Sequence, residues 1–147
     1  MPTRTLSDEA MRTLALFEET TGVAATDCVI DDEFDRAIVL VDPADMADAI
    51  GPGGHTVREA EERLGRDLKL VEDADTAEDF VANALAPAAV YDVEIEAVDD
   101  GDATRAVARV DVDEADVGVA IGPDGRNVDA ARVMAVRHFE VDDVQVV

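Results

Sequence analysis

The chain carries the same message twice, and that constrains its fold more than any other feature. Laid over itself with an offset of 71 residues, 39–64 (VLVDPADMADAIGPGGHTVREAEERL) falls on 110–135 (VDVDEADVGVAIGPDGRNVDAARVMA), and 12 of these 26 positions are identical. Shared Ala and Asp mean little in a chain rich in both, but a shared A-I-G-P-x-G does not arise that way. At 147 residues the duplication predicts two very small modules, 1–73 and 74–147, rather than one domain. The join, Glu72-Asp73-Ala74-Asp75, has no Gly or Pro and predicts a nearly fixed relation between them.

Each copy follows one plan. An amphipathic helix opens it, residues 7–20 with Leu6, Met11, Leu14 and Phe17 inward, and 76–86 with Phe80, Ala84 and Leu85 inward and Pro87 ending it. A strand pair follows, Ala25–Asp31 and Arg36–Val41 joined by Asp32-Glu33 in the first copy. In the second copy Val93, Ile95 and Ala97 alternate with carboxylates. The turn Asp99-Asp100-Gly101-Asp102 leads to a strand with Ala106, Ala108, Val110 and Val112 on one face. A short helix comes next, with Asp42 as N-cap, Pro43 at its first position and Asp45 in its first turn; Asp113 and Asp116 take the matching places. After the glycine loop a longer helix runs from His55 to Leu64 and from Arg126 to Phe139. The stripes are Val57, Ala60, Leu64 and Val128, Ala131, Ala135, Phe139, and the second helix is the longer by about five residues. Arg58 with Glu62, and Glu59 with Arg63, are spaced to pair on the solvent face. Strands at 67–71 and 142–147 close the modules.

The chemistry lies in Ile50-Gly51-Pro52-Gly53-Gly54 and Ile121-Gly122-Pro123-Asp124-Gly125. Two helices joined by G-x-x-G make a tight corner that a ligand's backbone can approach, with the next helix's free N–H groups facing an anion. That suits a sugar–phosphate chain. A nucleoside triphosphate does not fit, because the G-x-x-x-x-G-K-[ST] spacing is absent and no Lys follows either loop. A lone G-x-x-G would be read as a helix–helix corner and nothing more; two in the same slot, each after Ala-Ile, favour a binding role.

Helix-first modules with I-G-x-x-G loops resemble the prokaryotic-type KH domain, and the tandem pair resembles archaeal NusA-type transcription factors, most specifically through AIGPDGRNVDAARVMAVRHFEVDDVQVV. The resemblance implies an α+β fold of two tandem type II KH modules, each helix-strand-strand-helix-GxxG-helix-strand with a three-stranded sheet. It implies single-stranded RNA as ligand, with RNA polymerase or other transcription proteins as further partners and action on termination, antitermination or elongation. The polymerase-binding and S1-type domains of bacterial relatives are not expected. KH loops clamp the backbone of about four nucleotides beside an apolar groove that holds unstacked bases. Carried over by position, this implicates Gly51, Pro52, Gly53, Gly54 and Gly122, Pro123, Asp124, Gly125 as clamps. Ile50 and Ile121 become groove floor, with His55, Arg58 and Arg126 near phosphate. Two departures stand out: both loops begin with Pro, which has no N–H to donate, and Asp124 sets a carboxylate on the phosphate path. They leave a second reading open, a protein-interaction scaffold with degenerate loops.

Charge bears on that choice. Asp plus Glu number 36 against 12 Lys plus Arg, a formal net charge of −24, where phosphate binders are usually basic. Yet 11 of the 12 basic residues are Arg, Lys69 is the single Lys, and Asp outnumbers Glu by 23 to 13. This balance resembles proteins of halophilic archaea, in which self-repulsion is screened at a Debye length of about 3 Å in molar salt. Counterion release then drives little binding, so hydrogen bonds and apolar base contacts gain weight, with His55 and Arg126 as polar anchors.

No enzyme is legible. Cys28 lies in a strand with no evident base, His138 reads as a packed or capping residue beside Phe139, and Asp99-Asp100-Gly101-Asp102 is a hairpin turn without EF-hand spacing. The expectation is no cofactor, no metal and no catalytic residue. No apolar run approaches the roughly 18 residues of a membrane span, and the N-terminal residues lack the sections of a signal peptide. A cytoplasmic monomer follows.

Overall fold

The computed structural model describes residues 6–147; residues 1–5 of the first module lie outside that range. The chain divides into two compact units, one closing at Asp73 and the other spanning Ala74–Val147.

In the first unit α1 (Asp8–Thr21) leads to β1 (Ala25–Asp31) and β2 (Arg36–Val41). A single 3-10 turn (Pro43–Asp45) opens α2 (Met46–Ile50), and a second (Pro52–Gly54) carries the glycine loop into α3 (His55–Leu64) and β3 (Asp67–Glu72). The sheet order is β1-β2-β3, with β1 antiparallel and β3 parallel to β2. The second unit repeats this with α4 (Ala77–Ala84), β4 (Val90–Asp100), β5 (Ala103–Val112), α5 (Val117–Ile121), α6 (Arg126–Phe139) and β6 (Asp143–Val146), in sheet order β4-β5-β6. A register irregularity falls at the same place in both hairpins, between Ala25 and Asp27 and between Val90 and Asp92. Architecture and element order are those expected of two KH modules. The second glycine-loop helix is longer by four residues, 14 against 10, rather than five.

Local chemistry explains the helix starts. Ser7 Oγ accepts from Ala10 N at 3.0 Å, Thr76 Oγ1 from Asp79 N at 3.2 Å, and Asp42 Oδ1 from Ala44 N at 3.1 Å. Asp113 departs from expectation: it makes no cap hydrogen bond, and instead its carboxylate faces the Tyr91 hydroxyl and raises the pKa of that exposed phenol. Asp116 reaches outside its own turn, accepting from Ala89 N at 2.8 Å.

The first core is built around Phe17, with Ala10 and Leu14 from α1, Cys28, Ala37, Val39 and Val41 from the sheet, and Ala49 and Ala60 from the helices flanking the loop. Met11 was expected inward but stands 49 % exposed; Ala10 and Thr13 take the buried positions beside Leu14. The reason is helical phase, since Ala10, Thr13, Leu14 and Phe17 share one face of α1 and Met11 lies to the side of it. In the second unit Phe80 is fully buried, its ring 4.9 Å from Phe139 and 5.6 Å from His138, so His138 is a packed residue. Val93 and Ile95 are half-buried as alternation required, whereas Ala97, farther along the hairpin, is exposed.

Sheet parity sends Arg36 and Lys69 to the face opposite Ala37, Val39 and Leu70. Arg36 is buried, bonded to Asp31 Oδ2 at 2.8 Å and lying 5.0 Å over the Phe34 ring. Burial, and then the Arg36 charge, hold the Lys69 ammonium down to about 8. Between that value and the ordinary one of 10.5 the unfolded chain keeps a proton the folded chain has released, so stability rises with pH across this window. Urea midpoints at about pH 7.5 and about pH 9.5 are expected to rise in the parent and stay flatter in Lys69→Met. Parallel curves would place the effect elsewhere.

Candidate nucleic-acid interface

Both glycine loops adopt one backbone conformation. Gly51 (φ 75, ψ 172) and Gly122 (φ 77, ψ 167) end α2 and α5, Pro52 and Pro123 follow, and Gly53 (φ 59) and Asp124 (φ 56) turn left-handed, as do Gly54 and Gly125 (each φ 78). The corner is closed by its own backbone: Gly54 N donates to Gly51 O and Gly125 N to Gly122 O, each at 3.0 Å. Pro52 and Pro123 leave this closing hydrogen bond intact, because their position donates nothing to it. The first N–H groups of α3 and α6, those of His55 and Arg126, donate to Pro52 O and Pro123 O, so each loop runs into its helix without a break in hydrogen bonding.

Gly51 is required twice over. Its φ and ψ belong to a region only Gly occupies readily, and a Cβ there would fall on Thr56 Oγ1 and 2.9 Å from Thr56 N. Gly53 has nothing within 4 Å. Gly51→Ala is expected to cost about 2–4 kcal/mol in denaturant unfolding and Gly53→Ala about 1 kcal/mol. Equal costs would refute the asymmetry.

Around these corners the copies diverge. In the first, Ile50 stands 38 % exposed at the end of α2, His55 is exposed at the start of α3, and Arg58 folds back so that Nη1 lies 3.0 Å from where a Gly54 Cβ would be. The guanidinium therefore covers Gly54, the last glycine of the loop. In the second, Ile121 is 39 % exposed and Arg126 begins α6, but Arg58's slot is Asp129, so two carboxylates, Asp124 and Asp129, attend this loop. The structure thus gathers Ile50 to Arg58 around one corner and Ile121 to Arg126 around the other.

Beside the second loop runs an open groove of about 510 Å³ lined by Ile121, Gly125, Val128, Arg132, Gln145, Val146 and Val147. Its apolar members suit a base face. Arg132 and Gln145 supply polar edges and are held by one carboxylate: Asp143 receives Arg132 Nε at 3.0 Å and Gln145 Nε2 at 3.2 Å. Arg132 Nε also lies 3.1 Å from Val144 O. Sequence reasoning missed both residues. Arg132 follows Val128 by one helical turn, a usable signal; Gln145 becomes visible only when strand pairing sets Asp143–Val146 beside the helix. In the first module Glu61 occupies Arg132's slot with inverted polarity, accepting from Leu68 N at 2.9 Å.

Behind the loops lies a further difference. In the first module a hollow of about 650 Å³ opens between the end of α1 (Thr21, Gly22, Val23) and the loop (Gly51, Pro52, Thr56), with Asp45 and Asp48 on its wall. In the second, Asn127, at the position of Thr56, spans the corresponding region. Its Nδ2 lies 3.0 Å from Leu85 O, 3.3 Å from both Val119 O and Ala120 O, and 3.5 Å from Ala86 O.

Among the described residues no group of three or more His, Cys, Asp or Glu is arranged to hold a metal ion, and no helix is long and apolar enough to cross a membrane.

Comparison with known proteins agrees with the fold. A family profile described as the NusA-like second KH domain matches residues 77–146, and a KH domain profile matches residues 12–98, running past the first unit into β4. The chain is 52 % identical to the probable transcription termination protein NusA of Halococcus morrhuae, over 96 % of each chain. It is 51 % identical to that of Halobacterium salinarum, over 95 % of this chain and 96 % of the relative. The crystal structure of APE1850 superposes with a TM-score of 0.81 at 30 % identity, covering 97 % of this chain and all of that one.

Proposed function

The chain belongs to the archaeal NusA-like family of tandem KH proteins, and from that membership we propose that it binds single-stranded nascent RNA and modulates transcription termination, antitermination or elongation. The observation that carries the reading is the shared backbone of the two loops, each a glycine corner opening onto a helix N-terminus. Gly51 to Gly54 and Gly122 to Gly125 receive the sugar–phosphate chain, and His55, Arg58 and Arg126 contribute the donors nearest it. Ile50 and Ile121 begin the apolar floors on which bases lie, and in the second module Arg132 and Gln145 meet base edges. RNA polymerase or another transcription protein is the further partner. No step of this reading needs a catalytic group or a cofactor.

The scaffold alternative draws on one observation, the pair Asp124 and Asp129 at the second loop, which repels phosphate. A titration of a fluorescein-labelled single-stranded RNA of mixed sequence at about 2 M KCl separates the two, since at that ionic strength nonspecific phosphate attraction is largely suppressed. Saturable binding is expected; none would leave the scaffold reading in place.

A further inference from the structure

We propose that Asn127 is a positioning residue that holds the second glycine loop in its binding conformation in advance, so that this loop's share of RNA affinity needs no counterpart of Arg58. The inference rests on the RNA-binding reading and adds to it a division of labour between the copies.

Asn127 is the second residue of α6, immediately beyond the corner, and its amide nitrogen serves two other helices at once. Leu85 and Ala86 lie at the end of α4, while Val119 and Ala120 lie in the last turn of α5, a helix of five residues whose final carbonyls have no helical donor. One side chain thus supplies donors to two helix ends and fastens both to the helix that leaves the loop. Gly122 fits against the same residue, since a Cβ there would lie 2.8 Å from Asn127 Cβ and 2.9 Å from Asn127 N. The second corner is therefore tied on both sides.

The first module manages its opening helix differently. Gly22 closes α1 locally, donating to Glu18 O at 2.8 Å, and Thr21 Oγ1 donates to Phe17 O at 2.8 Å. The glycine-loop helix meets the end of α1 through Arg63, far from the loop, its Nη1 donating to Thr20 Oγ1 at 2.9 Å, and the hollow lies between helix end and loop. That loop has Arg58 over Gly54 instead. The first loop has a guanidinium over its last glycine; the second has Asp129 in that slot and the Asn127 tie behind the corner. A cation attracts phosphate through a term that fades as salt rises, whereas a corner already in its bound shape loses no ordering entropy at any ionic strength. The tie also answers how a loop flanked by Asp124 and Asp129 binds an anion: its contribution comes from the fixed backbone of the corner, Arg126 and the apolar groove, in a medium that screens the carboxylates.

The test uses the full chain with the first loop disabled by Pro52→Asp and Gly53→Asp, and adds Asn127→Ala or Asn127→Thr, the latter being the residue the first module uses there. A fluorescein-labelled single-stranded RNA is titrated at about 1 M and about 3 M KCl, and melting temperatures are recorded alongside. With Asn127 intact, residual affinity is expected to change little between the two salts. Asn127→Ala should weaken it about tenfold at both, at a temperature where circular dichroism shows the chain folded. Asn127→Thr retains one donor and should fall between; it decides the matter if the alanine variant does not fold. Lower melting temperature with unchanged affinity would overturn the proposal, leaving Asn127 a structural residue. Loss of all binding on disabling the first loop, in a protein whose parent binds, would overturn it as well, because the second loop would carry no affinity. Failure of the parent to bind would instead strike the RNA-binding reading, and this inference would fall with it.

Discussion

Transferred from about 2 M KCl into about 10 mM salt, the protein is expected to lose its cooperative fold. The Debye length grows from about 3 Å at 1 M to about 30 Å at 0.01 M, so charges that ignored one another across a module come to interact over all of it. With 36 carboxylates against 12 Lys plus Arg, that interaction is overwhelmingly repulsive. Opposing it are cores in which Ala10, Ala37, Ala49, Ala60, Ala84, Ala108, Ala120, Ala130, Ala131 and Ala135 hold buried positions that larger side chains often fill. Each alanine removes less apolar area from water than Leu or Ile would, so the reserve against repulsion is small. Of the ion pairs, Arg36 with Asp31 is buried, while Arg109 with Glu96 and Arg63 with Glu19 sit at the surface, where such pairs contribute little. Far-UV circular dichroism and melting temperature across a KCl series measure the effect. A melting temperature unchanged at about 10 mM would remove the salt argument altogether.

The combined Pro52→Asp and Gly53→Asp substitution is expected to lower RNA affinity at least about tenfold while leaving melting temperature within a few degrees, because exposed loop changes usually cost about 0.5 kcal/mol. The structure adds a reason for the tolerance: Gly53 is left-handed at φ 59, and the second loop holds an Asp at φ 56 in the same place. Two new carboxylates would sit beside Arg58, neutralising the guanidinium over Gly54 as well as repelling phosphate. Pro123→Asp should matter less, since Asp124 and Asp129 already attend that loop. Equal losses from both loops would mean the copies are ranked wrongly. No loss from either, in a protein that still binds RNA, would take the glycine corners out of the mechanism.

Much of the fold was legible because the repeat supplied each element twice. β1 and β2, and the helices His55–Leu64 and Arg126–Phe139, have the bounds their residue patterns indicate, since Gly and Pro mark the ends of the repeated block so clearly. What remained hidden depends on which surface meets which. Met11 has helical spacing for the core, yet Ala10 is the residue that fits. Asp113 matches Asp42 in sequence but answers to Tyr91, a neighbour brought by β4. The loops themselves could be read from six residues. Gln145 and Asn127 could not, because Asn127 acquires meaning from backbone carbonyls 7 to 42 positions away and Gln145 from a strand placed beside a helix, while Arg132 showed only its helical spacing from Val128.

Two modules of one element order in one chain invite a particular accident, in which a strand from one half docks onto the helix of the other during synthesis. The slot held by Glu61 and Arg132 discourages it. Glu61 accepts from the N–H of Leu68, whereas Arg132 donates to the carbonyl of Val144. Exchanged, a carboxylate would confront a carbonyl and a guanidinium an N–H, and both contacts would repel. The opposite polarity of this one slot thus gives each edge strand a match on its own helix and a mismatch on the other.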